Sequence, residues 1–391
     1  MITGSKELIR DINSKLVLET IINHNPISRA SISKRLGLTK ATISAIVQDL
    51  INKDLVIEVG SDDTSLGRKP ILLSFNKKAG FALCIDLGVE TISALITDLN
   101  AEDCILQQIK TPTNTSMILP TLIKLIESIQ EKLPDTPYGL IGITLGIHGV
   151  TANNMIQFTP YYNLTQLDLA SNLEHHFGIA IYLENEANLS VLGEKTFMFD
   201  YPNLANISVH SGIGVGIIIN NELYTGFNGY AGEIGHSIVE VDGLPCPCGN
   251  CGCLEQYVSE RVLLKQYAEL KQLDEINFEI FSSMYQSGDE DAIKIVNQFV
   301  KYMAVGINNI VTAYNPNLII INSSFTIYFP DIIHLIRKQL MSRMNKDISI
   351  EPSALQDSSI LLGGISVSIK KFLDLPNIKI KSIELLNQYT K

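Results

Sequence analysis

The chain has 391 residues, 46% of them hydrophobic, and a formal net charge of −11. That length exceeds one ordinary core and implies two or three domains, and the apolar share excludes a chain too polar to fold. The charge is not uniform: residues 1–78 hold 12 Lys/Arg against 8 Asp/Glu, a balance of +4, and the remainder carries −15. A small basic segment on a large acidic body points to DNA as the partner of the first part and to another task for the rest.

Leu8, Ile12, Leu16, Leu18, Ile21 and Ile22 recur at near-helical spacing and predict a first helix that buries this stripe, broken by Asn25-Pro26. Ser28 is a candidate cap for a second helix, Arg29 to Leu36, with Gly37 as its left-handed stop. Thr39 is placed to cap a third, Lys40 to Lys53, burying Ile43, Ile46, Val47 and Leu50 and leaving Lys40, Ala41, Thr42, Ser44 and Gln48 outward. Helix, tight glycine turn and a helix with small polar residues at its exposed start form the helix-turn-helix pattern, whose last helix enters the major groove. Two β-rich runs follow, 55–59 and 70–75, joined by a polar tip that carries Arg68 and Lys69. This is the wing of a winged helix, with both basic residues placed for phosphate or the minor groove. The expected DNA contacts are therefore Arg29, Lys40, Ala41, Thr42, Ser44, Gln48, Arg68 and Lys69. The bland alternative is a packing module with idle charges.

Lys77-Lys78-Ala79-Gly80 marks a boundary, after which an α/β pattern begins: strands at 81–86, 91–98 and 104–111, a helix at 117–133 and a strand at 139–145. Strands at 206–209, 216–220 and 222–225, helices after Glu255 and a strand at 318–321 repeat it. Two similar halves suggest a duplicated α/β fold with a ligand cleft. The expected domains are a winged helix-turn-helix at 1–78, a first α/β lobe at 79–190, and a second at 191–391 whose last helix can return to the first.

The densest chemistry lies in Gly232-Glu233-Ile234-Gly235-His236 and the run from Cys246 to Glu255. His236, Cys246, Cys248 and Cys253 offer one imidazole and three thiolates, a set suited to tetrahedral zinc, with Pro247, Gly249 and Gly252 allowing a tight loop. Cys251 is a fifth candidate. Disulfides are the competing reading. They need an oxidising compartment, and no signal peptide or long apolar span opens the chain, which favours a cytoplasmic setting. Glu233 and Glu255 are not needed by the metal. Held in place by it, they could accept hydrogen bonds from sugar hydroxyls; two solvated acids are the alternative.

These motifs resemble the ROK family, which groups sugar-responsive repressors with sugar kinases of the actin-like, ribonuclease-H-like fold. The resemblance spans the whole chain. Residues 25–30, 75–80, 137–142 and 184–188 are similar to its subgroup of xylose-operon repressors. The resemblance implies a sugar site at Asn163, Asn185, Glu186, Glu233, His236 and Glu255, with His236 also on the zinc. Glu186 stands where kinases of the family keep a catalytic Asp.

Departures from the kinase pattern argue against catalysis; one is the second glycine turn, Ser211-Gly212-Ile213-Gly214-Val215-Gly216, which keeps three glycines but has Val215 where kinases of the family often have another. The Asp-x-Gly-Gly-Thr phosphate turn is replaced by Asp86-Leu87-Gly88-Val89-Glu90-Thr91, which adds bulk and negative charge. The late Gly-Gly adenosine loop is replaced by Asn322-Ser323-Ser324, and Glu186 is one methylene longer than Asp. His148 and Leu164 also depart from the family's usual pattern. The expectation is a non-enzymatic repressor that binds operator DNA as a homodimer or homotetramer and is released by a sugar, xylose first. A kinase with an added DNA-binding head, or a repressor governed by a protein partner, are the alternatives.

Overall fold

The computed structural model describes residues 6–61, 70–160, 163–376 and 378–380. They group into two compact units. One comprises Met1–Leu145, Leu167–Tyr182 and Gly364–Lys391, the other Gly146–Gln166 and Leu183–Gly363.

The first unit opens with helix Lys6–Asn23, followed by Arg29–Leu36 and Lys40–Asn52. The local signals act as the sequence suggests. Ser28 Oγ accepts from Ser31 N, Gly37 takes φ +67° and donates to Ser33 O, and Thr39 Oγ1 accepts from Thr42 N. Ile43, Ile46, Val47 and Leu50 are buried. Strands Val56–Ser61 and Ile71–Phe75 pair antiparallel, and the short strand Ile27–Ser28 adds a third. The expected stripe of the first helix holds only in part. Val17, Leu18 and Ile21 are buried, but Leu8, Ile12 and Leu16 are exposed. An 18-residue helix outruns partners of 8 and 13 residues, so only its second half finds a core.

The winged helix is fastened to the sheet that follows. Tyr138 Oη donates to Lys53 O at 2.7 Å, Asn76 Nδ2 donates to Asp54 O at 2.7 Å, and Lys77 pairs with Glu102. That sheet runs in the order 181–185, 140–147, 81–87, 91–98, 105–110. Its central strands are apolar because both faces are covered. Part of the cover comes from helix Ser358–Leu373, where Ser368 Oγ meets Thr144 Oγ1 at 2.8 Å.

The second sheet runs 222–223, 213–219, 204–209, 318–323, 349–352. Strand 204–209 pairs antiparallel with 213–219 and parallel with 318–323. Both sheets thus have the chain order 3-2-1-4-5, which makes the duplication expected from the sequence a matter of topology. The core of this unit lies under helix Glu290–Tyr314, where Phe281, Phe299, Phe325 and Phe329 interlock; the Phe299 and Phe325 rings stack at 3.9 Å. No helix among the described residues is long and apolar enough to cross a membrane.

Candidate functional site

Helix Lys40–Asn52 presents Lys40, Ala41, Ser44 and Gln48 as exposed residues and Thr42 as half-exposed. Ala45 is exposed with them, one helical turn after Ala41; the sequence reading passed it over because alanine carries no polar signal. Gln48 Nε2 donates to Asn52 Oδ1 at 3.0 Å. Arg29, half-buried, pairs with Glu58 of the hairpin at 2.8 Å, so any phosphate it meets must compete with that carboxylate. Arg68 and Lys69 lie outside the described residues.

A second polar cluster gathers at the start of strand 213–219. Gly214 lets helix Glu186–Phe197 lie directly on it: a Cβ there would stand 2.8 Å from Ala187 Cβ and 3.3 Å from Glu186 Oε1. Gly216 does the same one step on, its Cβ position 2.2 Å from Ala187 O. These glycines therefore serve helix packing and not only the turn that the sequence suggests. Glu255 Oε2 accepts from Ile213 N at 3.2 Å. Glu233 Oε2 lies 3.9 Å from His236 Nε2. Burial pushes the Glu233 carboxyl above its ordinary range; His236 opposes this and the nearby Glu255 adds to it. Glu186, Glu233, His236 and Glu255 thus all flank one short strand end.

Asn185 has a structural part beside the expected one. Its Oδ1 caps the helix, accepting from Ala187 N at 2.8 Å and Asn188 N at 3.1 Å, and its Nδ2 donates to Gly149 O at 2.8 Å. One amide hydrogen is left for a ligand. Asn163 is exposed, and its Oδ1 accepts from Thr165 Oγ1 at 2.7 Å; it makes no hydrogen bond to the other five among the described residues. The sequence reading missed Glu184 as a positioning group. Its Oε1 accepts from Asn185 N and Asn188 Nδ2, both at 2.9 Å, and burial raises its pKa. The signal was present in the Glu-Asn-x-x-Asn spacing.

The cysteine loop folds back on itself. Cys246 N donates to Asn250 O, Gly252 N to Leu244 O and Leu254 N to Ser237 O. Gly252, at φ +77°, has its Cβ position 1.7 Å from Glu240 O, so no other residue fits there. The loop brings one donor atom from each of His236, Cys246, Cys248 and Cys253 to within 4.8 Å of one another. Cys246 Sγ lies 3.6 Å from His236 Nδ1, and Cys248 Sγ 3.6 Å from Cys253 Sγ. A disulfide needs about 2.05 Å, and all six cysteines are free. Cys251 is exposed and outside the four. His236 thus turns Nδ1 to the thiols and Nε2 to Glu233, which ties the metal-type cluster to the carboxylates.

A third polar group lies at the carboxyl end of the parallel strands 204–209 and 318–323. Glu260 Oε1 accepts from Ser323 Oγ at 2.8 Å and Ser324 N at 2.5 Å, and Oε2 from Ser324 Oγ at 3.0 Å. Burial raises its pKa, against the pull of His210 and the serine donors.

A winged helix joined to a ribonuclease-H-like pair of sheets, with carboxylates and a His/Cys loop at one strand end, defines a DNA-binding regulator with a sugar-kinase-type body. Residues 82–371 match the ROK family and residues 12–64 the MarR family. The chain belongs to the ROK family. It is 35% identical over 380 residues to the xylose repressor of Bacillus spizizenii, covering 95% of this chain and 98% of that one. It is 27% identical over 379 residues to the DNA-binding transcriptional dual regulator NagC of Escherichia coli, covering 92% of each. Among solved structures, a ROK family transcriptional regulator homologous to the E. coli MLC protein is 26% identical, covers 95% of this chain and 99% of its own, and superimposes with a TM-score of 0.79. A ROK family glucokinase from Streptomyces griseus, 22% identical, covers 74% of this chain and 99% of its own with a TM-score of 0.65. That likeness shows the shared fold of the body.

Proposed function

We propose that this chain is a transcriptional repressor that leaves its operator on binding xylose. The observation that carries the reading is the end-to-end likeness to a xylose repressor, winged helix included. The DNA face is helix Lys40–Asn52 from Lys40 to Gln48, joined by Arg29 and by Arg68 and Lys69, the last two on the sequence alone. A homodimer or homotetramer in the cytoplasm would place two such helices about 34 Å apart, or a multiple of that.

The sugar site is formed by Glu186, Glu233, His236 and Glu255, helped by Asn163 and the spare amide hydrogen of Asn185. Carboxylates accept from hydroxyls, and a site built this way rejects ligands that lack them. Zinc suits the four donors: with Zn–S near 2.3 Å, thiolates of a tetrahedral site stand about 3.8 Å apart, close to the 3.6 Å between Cys248 and Cys253. It would hold the loop that carries Glu233, His236 and Glu255. Catalysis is not part of the reading. The resemblance puts Val89 and Glu90 where the family's kinases have their glycine phosphate turn, and Ser323-Ser324 where they have Gly-Gly, which speaks against nucleotide binding. The sugar shifts the regulator only by its differential affinity for the form that leaves DNA.

Thermal midpoints of the purified chain against a panel of sugars, with and without Mg-ATP, test this. Ligands that bind the native state raise the midpoint by mass action. Xylose is expected to raise it and ATP to leave it unchanged. A shift with ATP, or a larger shift with glucose than with xylose, contradicts the proposal.

A further inference from the structure

Gln256 is neither one of the four metal-type donors nor one of the carboxylates, yet its side-chain amide touches both groups. Its backbone N–H donates to Cys253 O at 3.0 Å, which ties the residue to the cysteine loop. Its Nε2 donates to Cys246 Sγ at 3.6 Å and to Glu255 Oε1 at 3.4 Å. An amide nitrogen carries two hydrogens, one for each acceptor. A thiolate and a carboxylate only accept, so the nitrogen and not the oxygen of Gln256 must face them. Cys246 is buried and Gln256 half-buried, which shields these contacts from water.

The other oxygen of Glu255 is held from the opposite side. Its Oε2 accepts from Ile213 N at 3.2 Å, and a Cβ on Gly212 would stand 2.8 Å from that oxygen. The strand thus fixes one carboxylate oxygen and Gln256 the other, which sets the plane of the group. Each oxygen keeps a further lone pair for a hydroxyl.

We propose that Gln256 is a positioning residue that couples the metal loop to the sugar site: one amide hydrogen supports the Cys246 thiolate and the other orients Glu255. The proposal rests on the sugar and zinc reading and adds to it a residue that binds neither ligand. The two anions share one amide, so a change at either is felt at the other. A sugar hydroxyl that donates to Glu255 draws charge from the carboxylate, weakens its hold on the amide and strengthens the N–H···S bond. Coupling between two sites is reciprocal, so the metal site should report the sugar.

The test uses the full chain as wild type, Gln256→Met and Gln256→Glu, with circular dichroism to establish folding. Zinc affinity is measured by chelator competition, xylose affinity by isothermal titration of the zinc-loaded chain, and the thiolate-to-metal absorption band on the cobalt(II)-substituted chain. Gln256→Met keeps the length and removes both donors. It should bind zinc about tenfold more weakly and, fully loaded, bind xylose about fivefold more weakly. Its cobalt band should lie at lower energy than that of wild type, because a thiolate without its hydrogen bond gives up an electron more readily. Xylose should move the wild-type band to higher energy and leave that of Gln256→Met in place, a difference that a purely structural role would not produce. Gln256→Glu puts a third anion between the two, so it should weaken both ligands further, and it carries the test if the methionine variant fails to fold. A folded Gln256→Met with wild-type affinities, or one whose band still moves with xylose, overturns the coupling. So does a loss of zinc affinity with xylose binding unchanged at full metal load, and so does unfolding of both variants, which would assign Gln256 to stability alone. A wild type that holds zinc and gives no heat with xylose sinks the sugar reading and the coupling with it, whereas the other failures leave the sugar reading standing.

Discussion

Cys253→Ser is expected to lower zinc affinity by more than about 100-fold, since even a residue that only supports a ligand costs 10–100-fold when lost. The same variant should lose the xylose shift. Cys253 is buried, its Sγ lies 3.5 Å from His236 O, and its backbone bridges to Ile238, so it anchors both halves of the loop. A serine hydroxyl is a poor zinc ligand, and without the ion only the weak 3.6 Å contact with Cys246 Sγ is left on His236 Nδ1 to aim Nε2 at Glu233. Cys246→Ser and Cys248→Ser should act in the same direction. Cys251→Ser is the internal control: Cys251 is exposed and outside the four donors, so its metal content should match wild type at about one ion per chain. Metal analysis after gel filtration decides it. Full zinc content in Cys253→Ser would remove that residue from the site, and loss of zinc in Cys251→Ser would redraw the ligand set.

Gly216→Ala should destabilise the chain by about 3 kcal/mol, at the upper end of what overpacking usually costs. The added methyl would lie 2.2 Å from Ala187 O and 2.6 Å from Val191 Cγ1. A backbone carbonyl in the first turn of a helix cannot swing aside alone, so the whole helix Glu186–Phe197 must lift from the strand. Because Asn185 and Glu186 open that helix, the sugar response should weaken even below the melting transition. Denaturant midpoints and the xylose shift measure the two effects. A wild-type midpoint would mean that the helix and strand are not in the close contact described.

Much of this was legible in the chain because the signals were local. Ser28, Gly37 and Thr39 mark helix ends through contacts within a few residues, and the four metal-type donors sit within 18 positions. The repeated order of the sheets follows from the repeated succession of strands. What the sequence hid was tertiary. Leu8, Ile12 and Leu16 form a good helical stripe, but no periodicity tells how long the neighbouring helices are. Gly214 and Gly216 read as a turn, and only the packed helix shows why a side chain is excluded there. Asn185 read only as a hydroxyl binder, and its capping of helix Glu186–Phe197 was not foreseen. Glu260 had no motif to mark it, since the hydroxyls that bind its carboxylate lie 63 and 64 residues away.

Release of this protein from DNA by one sugar is open to direct measurement. The most direct measurement enriches genomic fragments on the purified, zinc-loaded chain, identifies the bound site, and titrates xylose into the complex while mobility is followed. A discrete site is expected, released by xylose and by no phosphate ester or nucleotide, and a Gln48→Ala, Ser44→Ala double variant should bind it poorly while still responding to xylose in thermal shift. A site that stays bound at saturating xylose, in a protein that binds the sugar, would contradict it.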